Sequence, residues 1–271
     1  MSQGTVSSNE RDDGASERAD LYVVHSGPVT APPIILVHGA PDRSAAFRKV
    51  LTYLGDRHVI VYDRRGYGRS AHLTPARTMV EHAEDLLRLA EGCEAPPVVV
   101  AHSFGSNPTM LASTLRPAAF RVLGLWEPPM PWVDWWPANT KAYNAGVAAS
   151  DDPSRDAERM YRRLLGDDAW EGMPPERRAR RLTEGPAFQA DMASEIVAPF
   201  EFRDVTTPTI VGYGTETAEE HHYGARWLAD TLPNAACQEV PGTGHFAPTA
   251  HPEVFASFVV SVADRPVLPH A

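Results

Sequence analysis

Short apolar runs alternate with longer amphipathic stretches over the first half of the chain. The runs are Ile34-Ile35-Leu36-Val37, Val59-Ile60-Val61-Tyr62, Val98-Val99-Val100-Ala101 and Arg121-Val122-Leu123-Gly124-Leu125-Trp126. Apolar runs of this length, bounded by turn residues, predict buried strands, and the segments between them predict crossover helices near 44–54, 78–92 and 104–116. That alternation specifies a doubly wound, mostly parallel α/β sheet. After Trp126 it stops. From Glu127 to about Asp204 prolines, tryptophans and charged helical stretches, Pro153–Leu165 and Pro175–Ala190, replace strands. It resumes with Thr209-Ile210-Val211-Gly212-Tyr213, a helix near 218–231, a short strand near 236–240 and a last helix from about Pro252. The expected organisation is a polar, disordered tail over 1–18, a core over 19–127 and 205–271, and a helical insert over 128–204.

Composition narrows the partners. The 271 residues suffice for one body with a sizeable core. The formal net charge of −10 argues against binding a nucleic-acid backbone, which needs Lys and Arg. The cluster Arg177-Arg178-Arg180-Arg181 has acidic neighbours and is expected to be a solvated helix face. Cys93 and Cys237 lack C-x-x-C or zinc-ligand spacing, so both are expected to be buried apolar residues in a reducing setting. No apolar stretch reaches the roughly 18 residues that span a bilayer, and the N-terminus lacks the basic start and apolar core of a signal peptide. A cytoplasmic protein acting on a small molecule, without membrane or nucleic-acid partners, is the expectation; the oligomeric state is left open.

The candidate chemistry sits where the third strand ends. Val98-Val99-Val100-Ala101 runs into His102-Ser103-Phe104-Gly105 and then a helical pattern, the form of a nucleophile elbow. Such a turn lifts a serine hydroxyl out of the sheet, beside a base and close to backbone N–H donors. The usual G-x-S-x-G has Ala101 in place of its first glycine and keeps the second as Gly105. The plain alternative for Ser103 is a helix N-cap. Three further motifs occur: His38-Gly39-Ala40-Pro41 after the first strand, Asp63-Arg64-Arg65-Gly66-Tyr67-Gly68 after the second, and Pro241-Gly242-Thr243-Gly244-His245-Phe246 near the C-terminus.

In that order the four motifs resemble the α/β-hydrolase superfamily, over about residues 20–262. The resemblance implies a catalytic triad with Ser103 as nucleophile and His245 as base, an oxyanion hole built from the backbone N–H groups of Ala40 and Phe104, and a helical cap in the insert. His102 is expected only to pack, His38 and Gly39 chiefly to shape their turn, and Asp63 to organise the loop behind the site. The triad acid departs from the common pattern. Related hydrolases keep an aspartate in the turn after the strand matching Thr209–Tyr213, where this chain has Gly214-Thr215-Glu216-Thr217. Glu127 is the better candidate: it ends the strand after the nucleophile helix, 24 residues beyond Ser103, and Trp126-Glu127-Pro128-Pro129-Met130-Pro131-Trp132 resembles the haloalkane dehalogenase branch, whose acid stands there. Glu216, and after it Glu219 and Glu220, remain alternatives. A serine nucleophile excludes the aspartate chemistry of dehalogenases and epoxide hydrolases.

The resemblance implies no cofactor. Glycines without a Gly-Lys-Ser/Thr ending or a Rossmann acid make nucleotide binding a poor reading, and the contiguous Glu219-Glu220-His221-His222 is expected to be a solvated helix face rather than a metal site. On the substrate side the expected residues are Trp132 and Trp136, with His38 beside them; Trp135, Trp170, Tyr143, Tyr161 and Met130 either line the pocket or hold the cap together. The function expected is a serine hydrolase cleaving a carboxylic ester, lactone or thioester of a small apolar substrate. Carbon–carbon hydrolysis of a diketone-like compound, performed by relatives with a similar Ser-Phe-Gly elbow, and a receptor or non-hydrolytic role on the same scaffold are the alternatives.

Overall fold

The computed structural model describes residues 20–265, so the tail expected over 1–18 lies outside the described residues. Seven strands form one sheet: β1 (Val23–Ser26), β2 (Pro33–Val37), β3 (His58–Tyr62), β4 (Val98–His102), β5 (Val122–Trp126), β6 (Thr209–Gly214) and β7 (Ala235–Val240). Their order is β1-β3-β2-β4-β5-β6-β7, with β1 antiparallel to β3 and the other neighbours parallel. Strands β2 to β6 are buried at every position, which is why they are apolar throughout rather than at alternate positions. The half-buried edge strand β1 is too short to show a pattern and went unpredicted.

Alternation of side chains divides the core in two. One face carries Ile35, Val37, Ile60, Val99, Leu123 and Val211 beneath α1 (Met79–Glu91), α2 (Ser106–Leu115) and α8 (Glu219–Thr231). The other carries Ile34, Leu36, Val59, Val98, Val100 and Ile210 beneath α10 (Pro252–Ala263), which follows the short α9 (Ala247–Ala250). Between β5 and β6 lie α3 (Ala138–Ala148), α4 (Pro153–Leu165), α5 (Asp167–Glu171), α6 (Pro175–Leu182) and α7 (Gly185–Ser194). Helix α7 packs on α3 and α4.

Two expected helices divide. The one over 44–54 is a pair of 3₁₀ turns, Ser44–Phe47 and Val50–Tyr53, because burying both Phe47 and Val50, three residues apart, suits the three-residue period. The one over Pro175–Ala190 breaks before Gly185-Pro186. A Cβ at Gly185 would lie 2.4 Å from the Pro153 carbonyl oxygen, so the glycine permits that close approach. The cysteines also differ from expectation. Cys237 is exposed on the outer strand β7, Cys93 is half-buried, and both are free. Helix α6 buries none of its residues; within it Arg178 pairs with Glu171 and Arg181 covers the Tyr161 ring.

Candidate active site

The sheet reverses its winding between β2 and β4, which pair with Val37 opposite Ala101. Open α/β sheets form a crevice at such a switch point, beyond the carboxyl ends of the strands. Here it receives the His38-Gly39-Ala40 turn from β2 and Ser103 from β4. Ser103 has φ +53° and opens a 3₁₀ turn, Ser103–Gly105, that leads into α2. Glu127, just beyond β5, has φ +48°. They are the only non-glycine residues in the left-handed region among the described residues. Such a conformation costs of order 1–3 kcal/mol and persists only where surrounding packing imposes it. The elbow is tight enough to require its glycines: a Cβ at Gly105 would lie 2.6 Å from the His38 carbonyl oxygen, and one at Gly39 would lie 3.0 Å from Ser103 Cβ.

His245 lies between Ser103 and Glu127. Its Nε2 is 3.1 Å from Ser103 Oγ and its Nδ1 is 2.9 Å from Glu127 Oε2. With Nδ1–H donating to the carboxylate, Nε2 is the basic nitrogen facing the hydroxyl. Glu127 is fully buried, and accepts further hydrogen bonds from the Gly214 N–H at 2.9 Å and the Thr217 hydroxyl at 2.8 Å. Burial pushes its carboxyl up, but the His245 hydrogen bond and charge, with the Gly214 N–H, outweigh it and leave the group below the ordinary carboxylate range. Thr217 lies in the turn after β6, and its hydroxyl supports the Glu127 carboxylate there. Glu216 is exposed and lines the pocket without bonding His245. His102 donates from Nε2 to the His245 carbonyl at 2.8 Å, so it anchors the His245 loop as well as packing.

A buried ionic network supports the β2 turn. Arg64 and Asp191, each 1% exposed, pair at 2.8 Å, linking the β3 loop to α7. Arg64 also donates to the carbonyls of Gly39 at 2.9 Å and His38 at 3.2 Å, while the Tyr67 hydroxyl and His82 bond Asp191. His38 is not at the substrate side, where it was expected. It is fully buried, its Nε2 accepts the Arg64 backbone N–H at 2.9 Å and its Nδ1 donates to the Gly39 carbonyl, so both nitrogens are used in shaping the turn. Asp63 organises the neighbouring loop by accepting the N–H groups of Ser44 and Arg69.

A cavity of about 500 Å³ opens over Ser103 and His245, with Ala40 and Phe104 in its wall. A larger groove of about 740 Å³ lies at the opposite, N-terminal ends of the strands, away from these residues. Of the two tryptophans expected against the substrate, Trp136 lines the cavity and Trp132 does not. Trp132 packs on Phe200 and Phe202, at ring-centroid distances of 6.2 and 6.3 Å, where the chain returns from the insert. Tyr143 also lines the cavity, whereas Tyr161 and Trp170 stack inside the insert.

Several lining residues escaped the sequence reading, among them Asn144, Arg163, Glu195 and His221. His221, expected on a solvated face, instead stacks on His245 with centroids 4.6 Å apart, and burial and the neighbouring His245 push its pKa down to about 3. Its place at the start of α8, directly beyond the carboxyl end of β6, was the signal available. Glu195 is 2% exposed and belongs to the cavity wall. Asp191 and Glu195, four residues apart beside Phe188 and Met192, mark acids on an inward helix face. Glu127, His221 and His245 bring ligand-type atoms within 4.8 Å of one another. The two rings are stacked at 21°, however, so their in-plane lone pairs do not converge, and both His245 nitrogens already face Ser103 and Glu127.

The model of the alpha/beta hydrolase family matches residues 34–258. A candidate carbamate hydrolase of Caulobacter vibrioides, RutD, is 26% identical over 265 residues, covering 89% of this chain and 93% of the relative. Among solved structures, a thermophilic esterase from Thermogutta terrifontis superposes with a TM-score of 0.69 at 24% identity, covering 89% of this chain and 92% of its own. The enol-lactonase from Burkholderia xenovorans LB400 gives 0.71 at 17% identity, covering 90% and 96%.

Proposed function

This chain belongs to the alpha/beta hydrolase family, and within it we propose a cofactor-free serine hydrolase that cleaves a carboxylic ester, lactone or thioester of a small, largely apolar molecule through an acyl-enzyme. The observation that carries this reading is the continuous relay from Ser103 Oγ through His245 to the buried Glu127, at 3.1 and 2.9 Å. In it, His245 Nε2 takes the hydroxyl proton as Ser103 Oγ attacks the acyl carbonyl, and Glu127 stabilises the imidazolium through Nδ1–H. The N–H groups of Ala40 and Phe104 face the developing oxyanion, with the N-terminal end of α2 adding its positive dipole end. Collapse expels the leaving group, which takes the proton from His245. Water, activated by the same imidazole, then attacks the acyl-enzyme and frees Ser103.

Phe104, Trp136, Met160 and Met192 in the cavity wall support an apolar substrate body. Attack on an acyl carbonyl also suits the carbamate named for the Caulobacter relative. No helix among the described residues is long and apolar enough to cross a membrane. The partner we propose is a small molecule and the location the cytoplasm. The test is labelling with a fluorophosphonate and burst hydrolysis of a p-nitrophenyl ester. Ser103→Ala is expected to abolish labelling and lower turnover about 10⁴-fold or more. Activity within about tenfold of the parent would sink the assignment, since a triad nucleophile cannot be so dispensable. Labelling without turnover across a broad ester panel would favour the receptor reading.

A further inference from the structure

We propose that Glu195 and Asn144 form a polar recognition point in the wall of the cavity, and that it binds a neutral hydrogen-bond-accepting oxygen, of the keto type, on the substrate's apolar arm; the inference rests on the serine-hydrolase reading for what is cleaved. Glu195 Oε1 accepts from Asn107 Nδ2 at 2.8 Å and Oε2 accepts from Asn144 Nδ2 at 3.2 Å. Among the described residues no cationic side chain pairs with it, since the nearby Arg64 is engaged by Asp191. A buried carboxyl without a cationic partner is expensive to ionise. Burial and the charge of Asp191 push its pKa up to about 8 against the two amide hydrogen bonds, so at neutral pH it holds its proton.

The protonated group has one O–H to give, and the Asn107 and Asn144 amides, being donors at these contacts, cannot accept it there. The open direction is the cavity, which Glu195 and Asn144 both line. Asn107, which holds the carboxyl, lies in the first turn of α2, four residues beyond Ser103, and both Ser103 and Glu195 line the same cavity. A keto group partway along an acyl arm attached at Ser103 is the probe of that placement. The same wall also carries Arg163, Glu216 and Glu220, so a cationic analogue is the control that separates a neutral acceptor at Glu195 from attraction to the carboxylates.

The test compares p-nitrophenyl 4-oxopentanoate with p-nitrophenyl pentanoate. The wild type is expected to favour the oxo ester by about tenfold or more in kcat/KM, because a site built to donate to an oxygen discriminates against the analogue that lacks it. Glu195→Met should bring the two esters near parity, and Glu195→Gln, which keeps an N–H donor, should retain part of the preference. Calorimetric Kd values in Ser103→Ala for the same esters should show the same preference with no turnover needed, and Glu195→Met in that background should remove it. A 13C-labelled C4 carbonyl bound to Ser103→Ala should absorb at lower frequency than in an apolar solvent, a readout that leaves residue 195 untouched should its variants not fold. Equal handling of both esters, an unshifted carbonyl band, or preference for p-nitrophenyl 4-(trimethylammonio)butyrate overturns the proposal while leaving the hydrolase intact. Selective binding without hydrolysis by the wild type overturns the hydrolase reading and leaves the recognition point standing.

Discussion

Two buried glutamates, one behind His245 and one in the cavity wall, resolve the same problem in opposite ways. Glu127 and Glu195 are 0% and 2% exposed. Glu127 receives a backbone N–H, a hydroxyl and the ring N–H of His245, a partner that can itself become a cation, and its carboxyl settles below the ordinary range. Glu195 receives two neutral amides and has Asp191 four residues before it, and its carboxyl is pushed up to about 8. Depth alone therefore does not set the charge of a buried acid. What matters is whether one of its partners gains when the acid ionises.

The strongest way to break this contrast is to remove the charge at Glu127. Glu127→Gln keeps the shape and is expected to lower kcat/KM by roughly 10²- to 10⁴-fold, while Glu216→Gln stays near the parent rate. Because the Thr217 hydroxyl sits 2.8 Å from Glu127 Oε2, adding Thr217→Asp to Glu127→Gln should return part of the loss. If Glu216→Gln were the crippling change instead, the acid would be misassigned and the contrast would vanish.

Stability against pH sharpens the same comparison. The folded state of Glu195 retains a proton that the unfolded chain releases near 4.5, so raising the pH from about 4.5 to about 8 removes stability, by up to about 1.4 kcal/mol per unit. Glu127 has the reverse sign: its contribution is present above the ordinary carboxylate value and is lost as the pH falls through its depressed folded value. Denaturant unfolding of the parent and of Glu195→Gln should show curves that diverge with rising pH across that window. Parallel curves would mean that Glu195 is ionised in the folded protein. The smallest expected effect concerns the tryptophans. Trp136→Ala should raise KM for aryl esters several-fold with little change in fold, whereas Trp132→Ala should act on thermal stability and leave KM near the parent value, since only Trp136 lines the cavity.

Much of this was legible because it is local. Apolar runs mark strands wherever both faces are covered, and β2 to β6 fall on the predicted runs. Pro153 begins α4 and Pro252 begins α10, as expected for proline in a first helical turn. The serine, the histidine and the strand-end glutamate could be named because parallel strands deliver their carboxyl ends to one edge. The break at Gly185-Pro186 was harder, since it depends on the approach of Pro153 from another helix. Trp132 was misplaced for a similar reason: its partners Phe200 and Phe202 lie about seventy residues on and join it only when the insert returns.

The sequence by itself determined the α/β-hydrolase fold and the order in which chemically capable residues reach the sheet's edge, because strand burial and turn chemistry are read from neighbours along the chain. Only the tertiary structure decided that Glu127 rather than Glu216 meets His245, that His221 stacks on His245, that His38 is spent on its own turn, and that Asn107 and Asn144 converge on Glu195. Charge state, partner and access are set by atoms within a few ångströms, and those atoms come from segments 51 to 118 residues apart for the glutamates that matter most here.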